Sequence, residues 1–286
     1  MGPRPLRVAY LGTPAMAVPT LRALVDAGHD VALVVSAADK RRGRGSALVP
    51  SPVKAAAIEL GLPVTDRVDD VLALDPPAEL GVVVAFGRLI KPHVLAELAM
   101  INVHFSLLPR WRGAAPLERA ILAGDEVTGV CVMEVEEGLD TGGVYRCEEV
   151  AIGADTTADE LREHLVEAGT RLVLDALATG LGTPAPQVGE PVYAHKIDPA
   201  ELQLDWTAPA VELHRRVRLG GAWTTFRGHR VKVWRTELPP TGGGITLSSG
   251  SEPIEVVEVQ PEGKARLPAS AWANGVHWQP GDRLGT

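Results

Sequence analysis

The sequence predicts an α/β fold, a doubly wound, mostly parallel, Rossmann-like sheet followed by a small OB-like β-barrel domain. Apolar strand patterns alternate with helical patterns through the N-terminal two thirds, and this order builds parallel sheets. A Pro- and Gly-rich stretch over 182–191 then interrupts the pattern. Short strands divided by Gly and Pro turns follow, as in small barrels. We therefore expect domains at 1–181 and 203–286, joined by a linker over 182–202.

The elements follow from hydrophobic periodicity. Apolar runs predict strands at 6–14, 30–35, 62–64, 80–87 and 101–106, with helices at 17–27 and 52–60. A helix at 116–123, strands at 128–135 and 143–150, and a long helix over 156–180 come next. The C-terminal part predicts a helix at 208–217 and strands at 222–226, 230–235 and 254–259. The first turn, Gly12-Thr13-Pro14, lacks the full glycine fingerprint of dinucleotide folds, so NAD binding has weak support.

Composition narrows the class of protein. The chain has 286 residues, 45% of them hydrophobic, and a mean hydropathy of +0.07, which is typical of soluble globular proteins. No apolar run reaches membrane-spanning length, and the N-terminus leads straight into a strand, so we expect a cytoplasmic protein with no membrane partner. Cys131 and Cys147 lie in predicted strands without a nearby His. We expect neither a disulfide framework nor a metal site, which fits a reducing compartment.

Charge is distributed unevenly along the chain. The net charge of −8 argues against a general nucleic-acid coat protein. Residues 203–286 nevertheless hold 10 Lys and Arg against 8 Asp and Glu. This mild basic excess can help to hold a polyanion, although an ordinary solvated surface explains it equally well.

The stretch that carries the most chemistry runs from Ile101 to Pro116. Asn102, His104 and Ser106 alternate with apolar residues, so they share the polar face of a strand whose end meets a cleft. Imidazole accepts and returns protons near neutral pH, and a neighbouring amide can donate to an oxygen that gains negative charge. Asp140, on a glycine-punctuated loop, supplies a carboxylate. A lone His at a strand end is usually structural, so spacing alone leaves the function open.

Two motifs favour a catalytic function for these residues. Asn102-x-His104-x-Ser106-Leu107-Leu108-Pro109 and Gly138-Leu139-Asp140-Thr141-Gly142 together resemble the signature of the folate-dependent formyltransferases. The resemblance implies 10-formyltetrahydrofolate as co-substrate, no metal, and catalysis by Asn102, His104 and Asp140, with Asp140 orienting His104 and favouring its charged form. It also implies that the folate pocket is lined by Phe86, Gly87, Leu89, Ile90, Ser106, Leu107, Leu108, Pro109 and Leu139.

The acceptor is implied by three further features. The basic loop after the second strand, with Lys40, Arg42 and Arg44, is similar to the loop with which one branch of the family reaches the acceptor stem of initiator methionyl-tRNA. The segment Trp111-Arg112-Gly113-Ala114-Ala115-Pro116 and the appended C-terminal domain point to the same branch. We expect a monomer that binds this tRNA. The alternatives are an amino-sugar N-formyltransferase, a formyl-folate hydrolase, and a non-catalytic nucleic-acid-binding scaffold.

Overall fold

The computed structural model describes residues 4–41 and 48–286 and divides into two compact units. The first unit runs to Pro116 and includes Val127–Ala151 and Arg162–His195. The second comprises Leu117–Glu126, Ile152–Leu161 and Lys196–Thr286. The second unit thus takes in two short segments from the middle of the chain besides the C-terminal residues.

The first unit is built on a seven-stranded sheet. The strands of the chain up to residue 194 are β1 (Arg7–Gly12), β2 (Asp30–Val35), β3 (Lys40–Arg41), β4 (Leu48–Val49), β5 (Val64–Thr65), β6 (Leu80–Val84), β7 (Met100–His104), β8 (Arg112–Gly113), β9 (Val127–Glu134), β10 (Val144–Ala151) and β11 (Tyr193–Ala194). The sheet order is β10-β9-β7-β6-β1-β2-β5. The strands from β7 to β5 pair in parallel, whereas β9 and β10 are antiparallel additions. The predicted Rossmann-like sheet is confirmed.

The helices of the chain up to residue 194 are α1 (Val18–Asp26), α2 (Pro52–Glu59), α3 (Pro92–Glu97), α4 (Pro116–Ala123) and α5 (Ala158–Thr179). The first turn of α2 is capped by the Ser51 hydroxyl, which accepts from the Lys54 N–H at 3.1 Å. In α5, Gly169 lies against the sheet, because a β-carbon there would sit 2.8 Å from Val103 Cγ1 and 3.1 Å from Val130 Cγ2. The long helix therefore covers the sheet, as its apolar stripe predicts.

The second unit contains a small antiparallel sheet. Its elements are α6 (Ala210–Arg218), β12 (Trp223–Phe226), β13 (His229–Glu237), β14 (Ile245–Leu247), β15 (Ile254–Pro261), β16 (Leu267–Pro268) and α7 (Ala269–Gly275). The strand order is β12-β13-β15-β14, and β16 also pairs with β15. Strands β13 and β15 bury Val231, Val233, Val256 and Val259 in a core shared with Leu213 of α6 and Trp272 of α7. This second, small β domain agrees with the predicted fold class.

The cysteines correct one expectation. Cys131 and Cys147 form a disulfide, whereas the sequence predicted none. The antiparallel register of β9 and β10 places the two residues directly opposite each other, with their Cα atoms 4.1 Å apart. The error arose because the two strands were predicted as partners but their register was not applied to the cysteines. The bridge ties together the two strands that flank the Asp140 loop.

No helix in the ranges 4–41 and 48–286 has both the length and the apolar character that a bilayer crossing requires.

Candidate active site

Two polar side chains lie at the C-terminal end of β7. Asn102 and His104 are two residues apart and so face the same side of the sheet. His104 is buried, with 5% of its surface exposed, and its Nε2 lies 2.9 Å from the Trp111 carbonyl oxygen. Asn102 is half-buried, and its amide makes no hydrogen bond to any residue within 4–41 and 48–286. An amide donor therefore remains available beside a buried imidazole.

Asp140 completes the group. Its Oδ2 lies 3.5 Å from His104 Nδ1 and accepts a hydrogen bond from the Gly113 N–H at 2.8 Å. His104 and Asp140 are thus close in space, although Asp140 follows His104 by 36 positions in the chain, and Asn102 lies on the same strand face as His104. The Asp140 side chain is 14% exposed, so solvent screens its charge only partly.

The surroundings of His104 constrain its protonation. The Trp111 carbonyl can only accept, so Nε2 must carry a proton to bond to it. Nδ1 faces a carboxylate, which when ionised is also only an acceptor. The Nε2 proton is thus directed at the Trp111 carbonyl, and Nδ1 is the ring nitrogen turned toward Asp140.

The Asp140 loop adopts a tight conformation. Asp140 itself has a φ of +51°, in the left-handed region that favours glycine over residues with a side chain. A β-carbon at Gly142 would lie 2.1 Å from the Glu134 carbonyl oxygen, so only glycine fits there. This close approach brings the loop back onto the end of β9.

Gln187 also contacts the site, although no sequence motif predicted it. Its side chain bonds to Arg112 on one side and to the backbone of Asp140 and Gly142 on the other. Gln187 lies in the stretch interpreted as a linker. No spacing rule connects it to Asp140, because the two residues are 47 positions apart.

The residues expected to line a folate pocket occupy different environments. Leu89 and Leu139 are exposed, at 79% and 53%, while Ile90 is partly buried against an apolar cluster that includes Phe86. Phe86 is 5% exposed, and the Arg88 guanidinium carbon lies 4.5 Å from its ring centroid. Gly87 turns the chain with a φ of +69°.

The other pocket residues follow His104. Ser106 is fully buried, and its hydroxyl donates to the Arg110 carbonyl at 2.6 Å, which closes the turn after β7. Leu107 packs on Gly129 of β9, where a β-carbon would lie 2.5 Å from Leu107 Cδ2. Leu108 and Pro109 are half-buried. In the described part of the chain, no group of three or more His, Cys, Asp or Glu residues could hold a metal ion.

The structure describes only part of the basic loop. Lys40 lies in the short hairpin of β3 and β4 with its side chain exposed. Arg42 and Arg44 lie outside the described residues.

The second unit carries cations stacked on tryptophans, and we call this the cationic–aromatic face. The Arg230 guanidinium carbon lies 4.2 Å from the ring centroid of Trp223. Trp234 is flanked by Arg266 at 3.3 Å and Lys232 at 5.5 Å. Guanidinium and indole planes of this kind stack on nucleobases, and the charges attract phosphates.

The fold and site define a class of protein. The chain belongs to the formyltransferase family: residues 6–177 match the formyl transferase model, and residues 196–277 match the model of the formyl transferase C-terminal domain. It is therefore an enzyme of one-carbon formyl transfer.

Curated relatives narrow the similarity further. The chain is similar to methionyl-tRNA formyltransferase of Symbiobacterium thermophilum, with 41% identity over 98% of this chain and 95% of that protein. The enzyme of the same name from Jannaschia sp. is 42% identical over 98% of this chain and 100% of that protein. The resemblance drawn from the two motifs is confirmed.

Solved structures share the fold at low identity. HypX from Aquifex aeolicus in complex with tetrahydrofolic acid matches with a TM-score of 0.68 and 15% identity over 99% of this chain, which spans 51% of the HypX chain. The N-formyltransferase from Helicobacter canadensis, in complex with folinic acid and dTDP-3-aminofucose, matches with a TM-score of 0.64 and 16% identity over 88% of this chain and 99% of that chain. At these identities the likeness concerns the fold alone.

Proposed function

We propose that this protein transfers the formyl group of 10-formyltetrahydrofolate to the free amino group of methionyl initiator tRNA, as a monomer in the cytoplasm. The observation that carries the proposal is the pairing of His104 with Asp140 at 3.5 Å, on the side of β7 to which Asn102 also belongs. The identity of about 40% to methionyl-tRNA formyltransferases over nearly the whole chain supports the choice of acceptor.

The residues around this site suit a formyl-folate. Exposed apolar side chains, Leu89 and Leu139, offer surface to a flat ring. The Asn102 amide, which makes no hydrogen bond within the described residues, offers a donor to the formyl oxygen. When bound, the folate supplies an activated one-carbon acyl group. Phe86, Gly87, Ile90 and the Ser106–Pro109 turn are the other residues of the proposed pocket.

The three catalytic residues have distinct roles. Attack by an amine on a formyl carbon puts negative charge on the carbonyl oxygen, and Asn102 donates its amide to that oxygen. His104 takes the proton from the amine and returns one to the departing folate nitrogen. Asp140 keeps the imidazole oriented and, from 3.5 Å, stabilises the positive charge that the ring gains when it takes the proton.

The attack is direct. Both cysteines are joined in a disulfide, so neither offers a thiolate. The Ser106 hydroxyl is fully buried and already donates to Arg110. Without an activated nucleophile at the site, a covalent formyl-enzyme has no support from the described residues.

The tRNA is held by two surfaces. The loop with Lys40, Arg42 and Arg44 reaches the acceptor stem, and the domain at 203–286, with its cationic–aromatic face, holds the rest of the polyanion. Such contacts raise the rate by positioning the amine, because correct placement removes much of the entropic barrier.

Replacing Arg44 or Arg266 with Ala should weaken tRNA binding and reduce its salt dependence, while leaving folate binding unchanged. An unchanged salt slope would contradict these assignments.

One competition assay tests the function. The protein is incubated with 10-formyltetrahydrofolate and methionyl initiator tRNA, with an amino-sugar nucleotide, or with water alone, and the formylated product and free folate are quantified. We expect formyl-methionyl-tRNA as the dominant product. Preferential formylation of the sugar, or release of formate in the presence of methionyl-tRNA, would refute the proposed acceptor.

A further inference from the structure

The amide of Gln187 has only one possible orientation. Its Oε1 accepts from Arg112 Nε at 3.0 Å and from Arg112 Nη2 at 2.7 Å. Its Nε2 donates to the Asp140 carbonyl and to the Gly142 carbonyl, each at 2.8 Å. Guanidinium nitrogens only donate and carbonyl oxygens only accept, so exchanging the amide oxygen and nitrogen would break all four bonds. All four hydrogen-bonding positions of the side chain are used.

The segment around Gln187 is exposed, so general burial does not explain its four hydrogen bonds. From Ala185 to Glu190 every residue except Gln187 is exposed, and its neighbour Val188 is 84% exposed. The backbone of Ala185 exchanges two hydrogen bonds with Val144, at 2.7 and 2.8 Å, and so holds one end of the segment. Gln187 adds the half-buried side chain through which the segment reaches the Asp140 loop.

Both ends of the Gln187 bridge lead to the catalytic carboxylate. On one side, Gln187 binds the carbonyl of Asp140, whose backbone is held in an unfavourable left-handed conformation. On the other side, it fixes Arg112, the residue before Gly113, and the Gly113 N–H donates to Asp140 Oδ2. The Asp140 backbone and the donor to its side chain are thus connected through one amide.

We propose that Gln187 is a positioning residue for formyl transfer: it holds the Asp140 carboxylate in place against His104 without touching either substrate. This inference rests on the proposed function for its kinetic consequence. Its structural part, the fixing of the Asp140 loop, stands independently of the acceptor.

Two variants separate positioning from mere folding. Gln187→Glu retains the oxygen that pairs with Arg112 but places a second oxygen against the two loop carbonyls, so it breaks only the loop side. Gln187→Met has similar length and removes both sides. Val188→Ala, one residue away and on an exposed side chain, is the matched control.

Steady-state kinetics with 10-formyltetrahydrofolate and methionyl initiator tRNA are combined with hydrogen exchange of the 135–143 loop. We expect both Gln187 variants to lower kcat by about 10- to 100-fold, as small misplacements of a catalytic group do. KM for each substrate should change by no more than about twofold, because ground-state contacts are kept. Exchange should speed up in the loop in both variants, and Val188→Ala should match the wild type in every measurement.

Each other outcome has a definite meaning. A normal kcat in Gln187→Glu would overturn the proposal, and so would a reduced kcat with unchanged exchange in the loop. A rise in KM without a fall in kcat would make Gln187 a binding residue instead. If the wild-type protein formylates no acceptor, the proposed function fails, while faster loop exchange in the variants would still support the structural tie.

Discussion

Replacing Asp140 with Asn removes a charge from the site with little change of shape. Oδ2 of Asp140 lies 3.5 Å from His104 Nδ1. At that distance, two unit charges attract by about 1 kcal/mol in water and by about 5 kcal/mol at an effective dielectric constant of 20. Since both side chains are mostly buried, the loss should lie between these limits. A loss of roughly 2.7 kcal/mol corresponds to about a 100-fold fall in kcat.

Single-turnover formyl transfer measures this effect most directly, because it separates chemistry from product release. Glu137→Gln is the matched control, since it removes an exposed carboxylate from the same loop. We expect the control to retain the wild-type rate, and Asp140→Asn to remain folded by circular dichroism. A rate for Asp140→Asn within about threefold of wild type would refute the role of the carboxylate.

Three further variants test other contacts. Gly142→Ala should displace the Asp140 loop from Glu134, lower the rate of formyl transfer, and lower the free energy of unfolding by about 1–3 kcal/mol. Gly243 has open space around it, so Gly243→Ala should change neither the activity nor the denaturant unfolding curve. Cys147→Ser should lower the free energy of unfolding by up to about 3 kcal/mol, because the bridge closes a loop of 16 residues; equal urea midpoints with and without reductant in the wild type would contradict this. Buried Glu255 accepts N–H bonds from Gly244, Thr241 and Gly242, which hold its pKa below the usual value. Its contribution to stability is therefore present above the ordinary pKa of 4.5 and is lost as pH falls through the lowered folded-state value, so Glu255→Gln should flatten this part of the stability-versus-pH curve measured by thermal unfolding.

Local sequence signals predicted much of the fold. The helix at 116–123 begins and ends as predicted, because Pro116 suits a first helical turn and the apolar periodicity stops before Gly124. The strand at 101–106 was predicted in place but ends at His104, where the turn closed by the Ser106 hydroxyl begins. Side-chain hydrogen bonds to the backbone set such strand ends, and hydrophobic alternation does not reveal them.

Site residues could be predicted from the sequence only where they belong to a motif. Asn102, His104 and Asp140 were predicted as site residues because their residue types and spacing form a recognisable pattern. Gln187 and the Cys131–Cys147 bridge were missed because both depend on contacts between distant positions, one across 47 residues and the other on a strand register. Neither the Gln187–Asp140 contact nor the Cys131–Cys147 bridge produces a periodic pattern in the sequence.

We infer that the His104 imidazole, at the end of β7, moves the proton during formyl transfer to an amine. The most direct test follows a labelled formyl group from 10-formyltetrahydrofolate to methionyl initiator tRNA in a single turnover, with wild-type protein and His104→Ala side by side. We expect label on the tRNA within one wild-type turnover, and a rate at least about 1,000-fold lower for a folded His104→Ala protein that still binds folate. Comparable labelling by the two proteins would contradict the account.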